Sequence, residues 1–83
     1  MPKLPRVKAS EVIRALERLG FVQIRQKGSH IVMKKRILLE TDPPEETEIG
    51  CVVPLHNKTL AVGTLKSILK QAGVTVEEFI ENL

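Results

Sequence analysis

The sequence predicts a small α+β domain in which a helix, three antiparallel strands, a second long helix and a short last helix follow one another. Three observations predict it. Apolar residues recur at helical spacing in Val12–Leu19 and again in Val62–Ala72. They alternate with polar residues from Val22 to Gln26 and from Ser29 to Lys34. The chain has 83 residues, enough for one domain. A domain of that size buries roughly 60% of its unfolded surface around about a dozen side chains, with no room for an enclosed cofactor pocket.

Each element has its own signals. Met1–Lys8 is an arm with two prolines and three bases, expected to be mobile. Ser10 suits a helix N-cap, and Val12, Ile13, Leu16 and Leu19 fall on one face, with Glu11, Arg14 and Arg18 opposite. Gly20 suits a left-handed stop, with Phe21 folding back on Leu16. Lys27-Gly28 marks a turn. An even-length turn pairs Ile24 with Ile31 and Val22 with Met33, placing four apolar side chains on one face and Arg25 across from His30 on the other.

Ile37-Leu38-Leu39 extends the second strand, Asp42-Pro43-Pro44-Glu45 turns the chain, and Ile49–Leu55 returns as a third strand. Pro54 requires an edge position there. Gly73 ends the second helix, whose Lys66 and Lys70 lie beside its apolar stripe. Thr75 and Glu78 form a capping box, stapled by Val74 and Phe79, that opens the last helix.

Charge is segregated. Met1–Arg36 holds ten Lys+Arg and two acids, a net of +8, whereas Ile37–Glu48 holds five acids (Glu40, Asp42, Glu45, Glu46, Glu48) and no base. A basic first half implies an anionic partner for the main body. The single Cys51 excludes an internal disulfide and a multi-cysteine zinc site, and its apolar neighbours mark it as a buried small hydrophobe. Two histidines and scattered acids give no metal-ligand spacing. No apolar run approaches the ~20 residues of a membrane span and no signal peptide opens the chain, so a cytoplasmic location is expected.

Phe21 and Phe79 are the only aromatics and both have structural roles, which argues against a base-stacking platform. Backbone contacts suit this surface better: amides near Gly63-Thr64 can cradle a phosphate beside Lys66. His30 follows a tight Gly28-Ser29 step on the face away from Ile31 and Met33. An imidazole takes up and returns a proton near neutral pH, and a guanidinium across from it favours the neutral form a general base needs. Arg25 and Lys27 are placed to hold a phosphodiester there. The same spacing also suits an ordinary exposed strand histidine. His56 is expected near His30 if the strands pair in this way, but has no evident partner.

These residues resemble a known family. Gly28-Ser29-His30 after the helix and first strand is similar to the signature of the HicA (YcfA-like) toxins. Val53-Pro54-Leu55-His56, the run from Gly63-Thr64-Leu65-Lys66-Ser67 to Gly73, and Glu77-Glu78-Phe79 agree in order along nearly the whole chain. The resemblance implies one HicA-like domain over residues 1–83 with a double-stranded-RNA-binding-domain-like fold. It also implies the toxin of a type II toxin–antitoxin system, a ribosome-independent endoribonuclease that cuts mRNA and is restrained by a HicB-like antitoxin. The family's catalytic histidine falls on His30 and its glycine on Gly28. The segment 35–50 departs from the family by being longer and more acidic, as an insertion or an extended hairpin.

The functional expectation is therefore metal-independent RNA cleavage without a cofactor. His30 acts as general base, and Arg25, Lys27, Gly28, Ser29, Lys66 and Lys70 bind phosphate or RNA. Two alternatives compete with it: a non-catalytic double-stranded-RNA-binding module of the same fold, and a protein-binding module centred on Ile37–Glu48. The acidic segment Ile37–Glu48 is expected to project from the domain, away from RNA, and to contribute to a protein interface with the antitoxin or a second copy.

Overall fold

A computed structural model describes residues 3–55 and 58–83. Its elements are α1 (Ala9–Arg18), β1 (Val22–Lys27), β2 (His30–Leu39), β3 (Glu45–Pro54), α2 (Val62–Ala72) and α3 (Val76–Glu81). The strands form one antiparallel sheet in the order β1-β2-β3, the α+β arrangement expected from the sequence.

The sheet packs one face against the helices. Met33, Val53, Val12, Leu16, Leu65, Ile68 and Phe79 are all but fully buried there, with Ile31 and Cys51 beside them. The expected apolar stripes of α1 and α2 supply most of this core. The N-terminal arm is not free: Val7 is buried, Leu4 packs on the core, and the Val7 carbonyl accepts from the Leu60 amide at 2.8 Å. That anchoring also moves the start of α1. Lys8, not Ser10, holds the N-cap position, and the Glu11 carboxylate accepts from the Lys8 amide at 3.0 Å. Burial of Val7 and Ala9 on either side of Lys8 outweighs the intrinsic capping preference of serine.

Both long helices end as the glycines predict. Gly20 has φ +101°, and the amides of Gly20 and Phe21 donate to the carbonyls of Glu17 and Leu16, the paired bonds of a Schellman stop. Gly73 closes α2 at φ +68°. Thr75 and Glu78 form the reciprocal capping box at 3.1 Å in both directions, and Phe79 of the staple is fully buried.

The first hairpin differs from expectation. Lys27 pairs with His30, Gln26 with Ile31 and Arg25 with Val32, so the connection is the two-residue Gly28-Ser29 turn. Ile24 is an extra residue at a bulge, and Val22 then pairs with Lys34. The expected cluster of Val22, Ile24, Ile31 and Met33 therefore does not form: Val22 and Ile24 are 57% and 52% exposed. The cause is the turn. Gly28 sits at φ +59° and no other turn residue has positive φ, the pattern of a II′ turn with glycine first, whose twist matches the strands. The sheet instead fills its core face from β2 and β3.

The segment 35–50 is an extended hairpin. Beyond the pair Lys34–Gly50, β2 and β3 continue as a ribbon through Leu39–Glu45 without β1 beside them, projecting roughly 15 Å. The third strand thus begins at Glu45, four residues before the expected Ile49, because Glu45–Glu48 pair with Leu39–Arg36 of β2 although all four side chains are exposed.

Gly73→Ala and Gly28→Ala are expected to separate two costs. Both glycines have left-handed φ, which costs a substituted residue about 1–2 kcal/mol. A Cβ at Gly73 would also meet Ile49 Cδ1 at 2.8 Å, whereas one at Gly28 would meet nothing within 4 Å. Urea unfolding is expected to show both variants destabilised, Gly73→Ala the more so.

Candidate functional site

The Gly28-Ser29 turn sets His30 in place. The Ser29 carbonyl accepts from the Leu55 amide at 2.6 Å, and the Gly28 carbonyl accepts from Gln26 Nε2 at 3.0 Å. The turn is thereby tied to both neighbouring strands. His30 opens the central strand, flanked by Lys27 on β1 and Pro54 on β3. It is exposed, on the face opposite the buried Ile31 and Met33.

Around His30 lies an open depression of about 450 Å³, lined by His30, Val52 and Pro54 from the sheet and by Gly63, Thr64, Ser67, Ile68 and Gln71 from α2. It exists because α2 lies along the β3 edge. Leu65, Ile68, Leu69 and Ala72 enter the core, while Gln71 Oε1 accepts from the Val52 amide at 3.2 Å and its Nε2 donates to Ser67 Oγ at 3.4 Å. Thr64, Ser67 and Gln71 follow one another at helical spacing beside the apolar stripe. Sequence reasoning singled out Gly63-Thr64 but missed Ser67 and Gln71, although the three-then-four spacing was a signal for them.

The expected site residues divide. Gly28, Ser29 and His30 are contiguous at the turn, and Lys27 lies directly across from His30. Arg25 shares the face of His30 but stands opposite Val32, so the expected Arg25–His30 pair is replaced by Lys27–His30. Lys66 and Lys70 do not line the depression; at about 100° per residue Lys66 falls on the far side of α2 from Thr64 and Gln71, and Lys70 lies between Lys66 and Gln71 around the helix. His56 lies outside the described residues.

Among the described residues no three His, Cys, Asp or Glu side chains gather as a metal site needs. The five central acids are exposed on the ribbon and its tip, the tip about 30 Å along β2 from His30. Glu48 pairs with Lys34 at 3.5 Å, between half-exposed side chains where such a pair adds little stability. No helix among the described residues is long and apolar enough to cross a membrane.

A family model described as the HicA toxin of bacterial toxin–antitoxin systems matches residues 9–74, from the start of α1 to just past α2. The chain belongs to the HicA toxin family. No curated protein matches it in a sequence comparison. The matched span contains the turn, His30 and all the residues lining the depression. As a HicA toxin the chain is the toxin half of a toxin–antitoxin pair, and its partner is a cognate antitoxin. Within this HicA chain Cys51 has a structural place only: it is 3% exposed.

Burial pushes the Cys51 thiol up from 9.0 to about 11. The folded chain holds this proton more tightly than the unfolded one, so the associated stability is full below pH 9.0 and lost as pH rises towards about 11. The stability difference between the wild-type chain and Cys51→Ala, from urea midpoints, is expected to shrink across that window. An unchanged difference would show a solvated thiol.

Proposed function

We propose that this HicA toxin is a metal-independent endoribonuclease that cuts mRNA, with His30 as general base. The observation that carries the reading is an exposed imidazole fixed at a pinned two-residue turn, directly across from Lys27 and open to the depression against α2. In its neutral form the imidazole accepts the proton of a ribose 2′-OH, whose oxygen attacks the adjacent phosphorus while the bond to the 5′-oxygen breaks. Lys27 stands where it can meet the charge on the phosphoryl oxygens, with Arg25 one pair further along the same face. Thr64 and Ser67 offer hydroxyls on the opposite wall of the depression.

This route needs no cluster of carboxylates, which a two-metal nuclease uses to hold its ions. The five central acids sit instead on the ribbon and its tip, where they repel phosphate. Dependence on the 2′-OH also gives discrimination against DNA. Restraint by the antitoxin fits an exposed site, which a protein surface can cover directly.

Four results are expected together. His30→Ala abolishes cleavage while retaining RNA binding, and cleavage persists in chelator. The 5′ fragment ends in a 2′,3′-cyclic phosphate or its opened form, and a deoxyribose at the cut position blocks the reaction. Metal-dependent cutting that leaves a 3′-hydroxyl would exclude the mechanism. Full retention of function by His30→Ala would favour the RNA-binding module instead.

Lys27→Gln is expected to weaken RNA binding and to lower the slope of log affinity against log salt by about one. Lys66→Gln, on the far side of α2, is expected to leave the cleavage rate at saturating RNA unchanged. Titration of labelled RNA at several salt concentrations, with single-turnover cleavage, measures both.

A further inference from the structure

Ser67 and Gln71 line the depression from α2, and a short chain of hydrogen bonds fixes how each presents its polar atoms. The Val52 amide of β3 donates to Gln71 Oε1 at 3.2 Å. A backbone N–H meets only the oxygen of a carboxamide, so this bond decides which way round the Gln71 amide sits. Its Nε2 is thereby turned to Ser67 Oγ, one helical turn back, at 3.4 Å. That is the one hydrogen bond of the Ser67 side chain among the described residues. A helical serine often donates to the carbonyl four residues back, here Gly63, and Ser67 does not. It accepts from Gln71, and its own O–H proton is left for whatever occupies the depression. Thr64, the other hydroxyl of this wall, has no such partner to orient it.

We propose that Ser67 is a second catalytic residue, donating a hydrogen bond to the 5′-oxygen that leaves, and that Gln71 positions it. The inference rests on the nuclease reading above. Displacement at phosphorus sets the attacking and leaving oxygens roughly in line, on opposite sides of the phosphorus. His30 on β2 serves the attacking 2′-oxygen, so the leaving oxygen points to the facing wall, which is α2. No cation lines that wall, and Lys27 stands beside His30 on the sheet, where it meets the phosphoryl oxygens. A neutral donor therefore has to meet the charge that grows on the 5′-oxygen. A donor already aimed at that charge needs no reorientation in the transition state, and Gln71 supplies this aim.

In the step, the bond from the 2′-oxygen to phosphorus forms, the bond from phosphorus to the 5′-oxygen breaks, and the 2′-OH proton passes to His30. Ser67 keeps its proton while sharing it. The departing 5′-oxygen takes a proton from water, and His30 later returns its own to the hydroxide left behind.

The test compares two RNA strands that differ in one atom. One has the natural 5′-oxygen at the mapped cut position, and the other has sulfur in its place. A thiol holds its proton far more weakly than an alcohol, so a thiolate departs without a donor. Single-turnover cleavage is measured on both at saturating RNA. Ser67→Ala is expected to cut the oxygen strand about a hundredfold more slowly than the wild-type chain, and the sulfur strand at the wild-type rate. Ser67→Thr keeps a hydroxyl and is expected to keep most of the oxygen-strand rate. Gln71→Met removes both bonds at similar side-chain volume. It is expected to slow the oxygen strand less than Ser67→Ala and to add nothing to it in the double variant, because its effect passes through Ser67. His30→Ala is expected to lose both strands, since the 2′-OH still has to give up its proton. An unchanged oxygen-strand rate in Ser67→Ala would overturn the proposal and leave His30 in its role. Equal slowing of both strands would also overturn it, by assigning Ser67 to binding or to the fold. Failure of the nuclease reading looks different: His30→Ala then cuts both strands as well as the wild-type chain, or the wild-type chain cuts neither.

Discussion

The left-handed backbone of Gly28 is the constraint on which the site depends. At φ +59° it closes β1 onto β2 after two residues, and that length fixes which residue meets which. His30 becomes the first residue of the central strand, Lys27 becomes its neighbour, and Ile31 is directed into the core. Gln26 and Leu55 then tie the turn's carbonyls to the strands on both sides. A histidine one position later would be buried with Met33's neighbours, where an imidazole cannot reach a solvent-borne substrate.

Helix positions were legible in the sequence because their signals are local. The α2 stripe, Gly73 and the Thr75–Glu78 box each depend on residues within one or two turns. The start of α1 was misread for the opposite reason. Ser10 is a good cap in isolation, but Val7 is held by Leu60, some fifty residues away in sequence, and the helix begins where that anchoring directs it. The hairpin register failed in a related way. Maximising apolar contact between β1 and β2 gave a four-residue loop, whereas Gly28-Ser29 supports a two-residue one. The core could accept this because α1, α2 and α3 supply enough apolar surface without Val22 and Ile24.

The candidate site was legible on the sheet and less so on the helix. Gly28, Ser29, His30 and Lys27 are close in sequence, so a strand–turn–strand reading brings them together whatever the register. Lys66 and Lys70 were assigned by charge, and charge says nothing about helix rotation; the wall towards His30 is formed by Thr64, Ser67 and Gln71. The separation of charge along the chain became a separation in space because β2 and β3 run straight past the end of β1. The acids thereby stand away from the basic surface near His30 instead of neutralising it.

The bareness of β1 has a dynamic consequence. None of its six side chains is buried, so it is held chiefly by its backbone bonds to β2. Opening it exposes almost no apolar surface, and the free energy of such local unfolding is far below that of the whole domain. The amides of β1 therefore exchange with solvent before those of β2, which stays locked between β3 and the helices. Lys27 and Arg25 ride on the strand that can peel away, while His30 stays on the strand that cannot. The two halves of the surface around His30 thus differ in rigidity: a fixed imidazole faces cations whose supporting strand can yield to the shape of what binds.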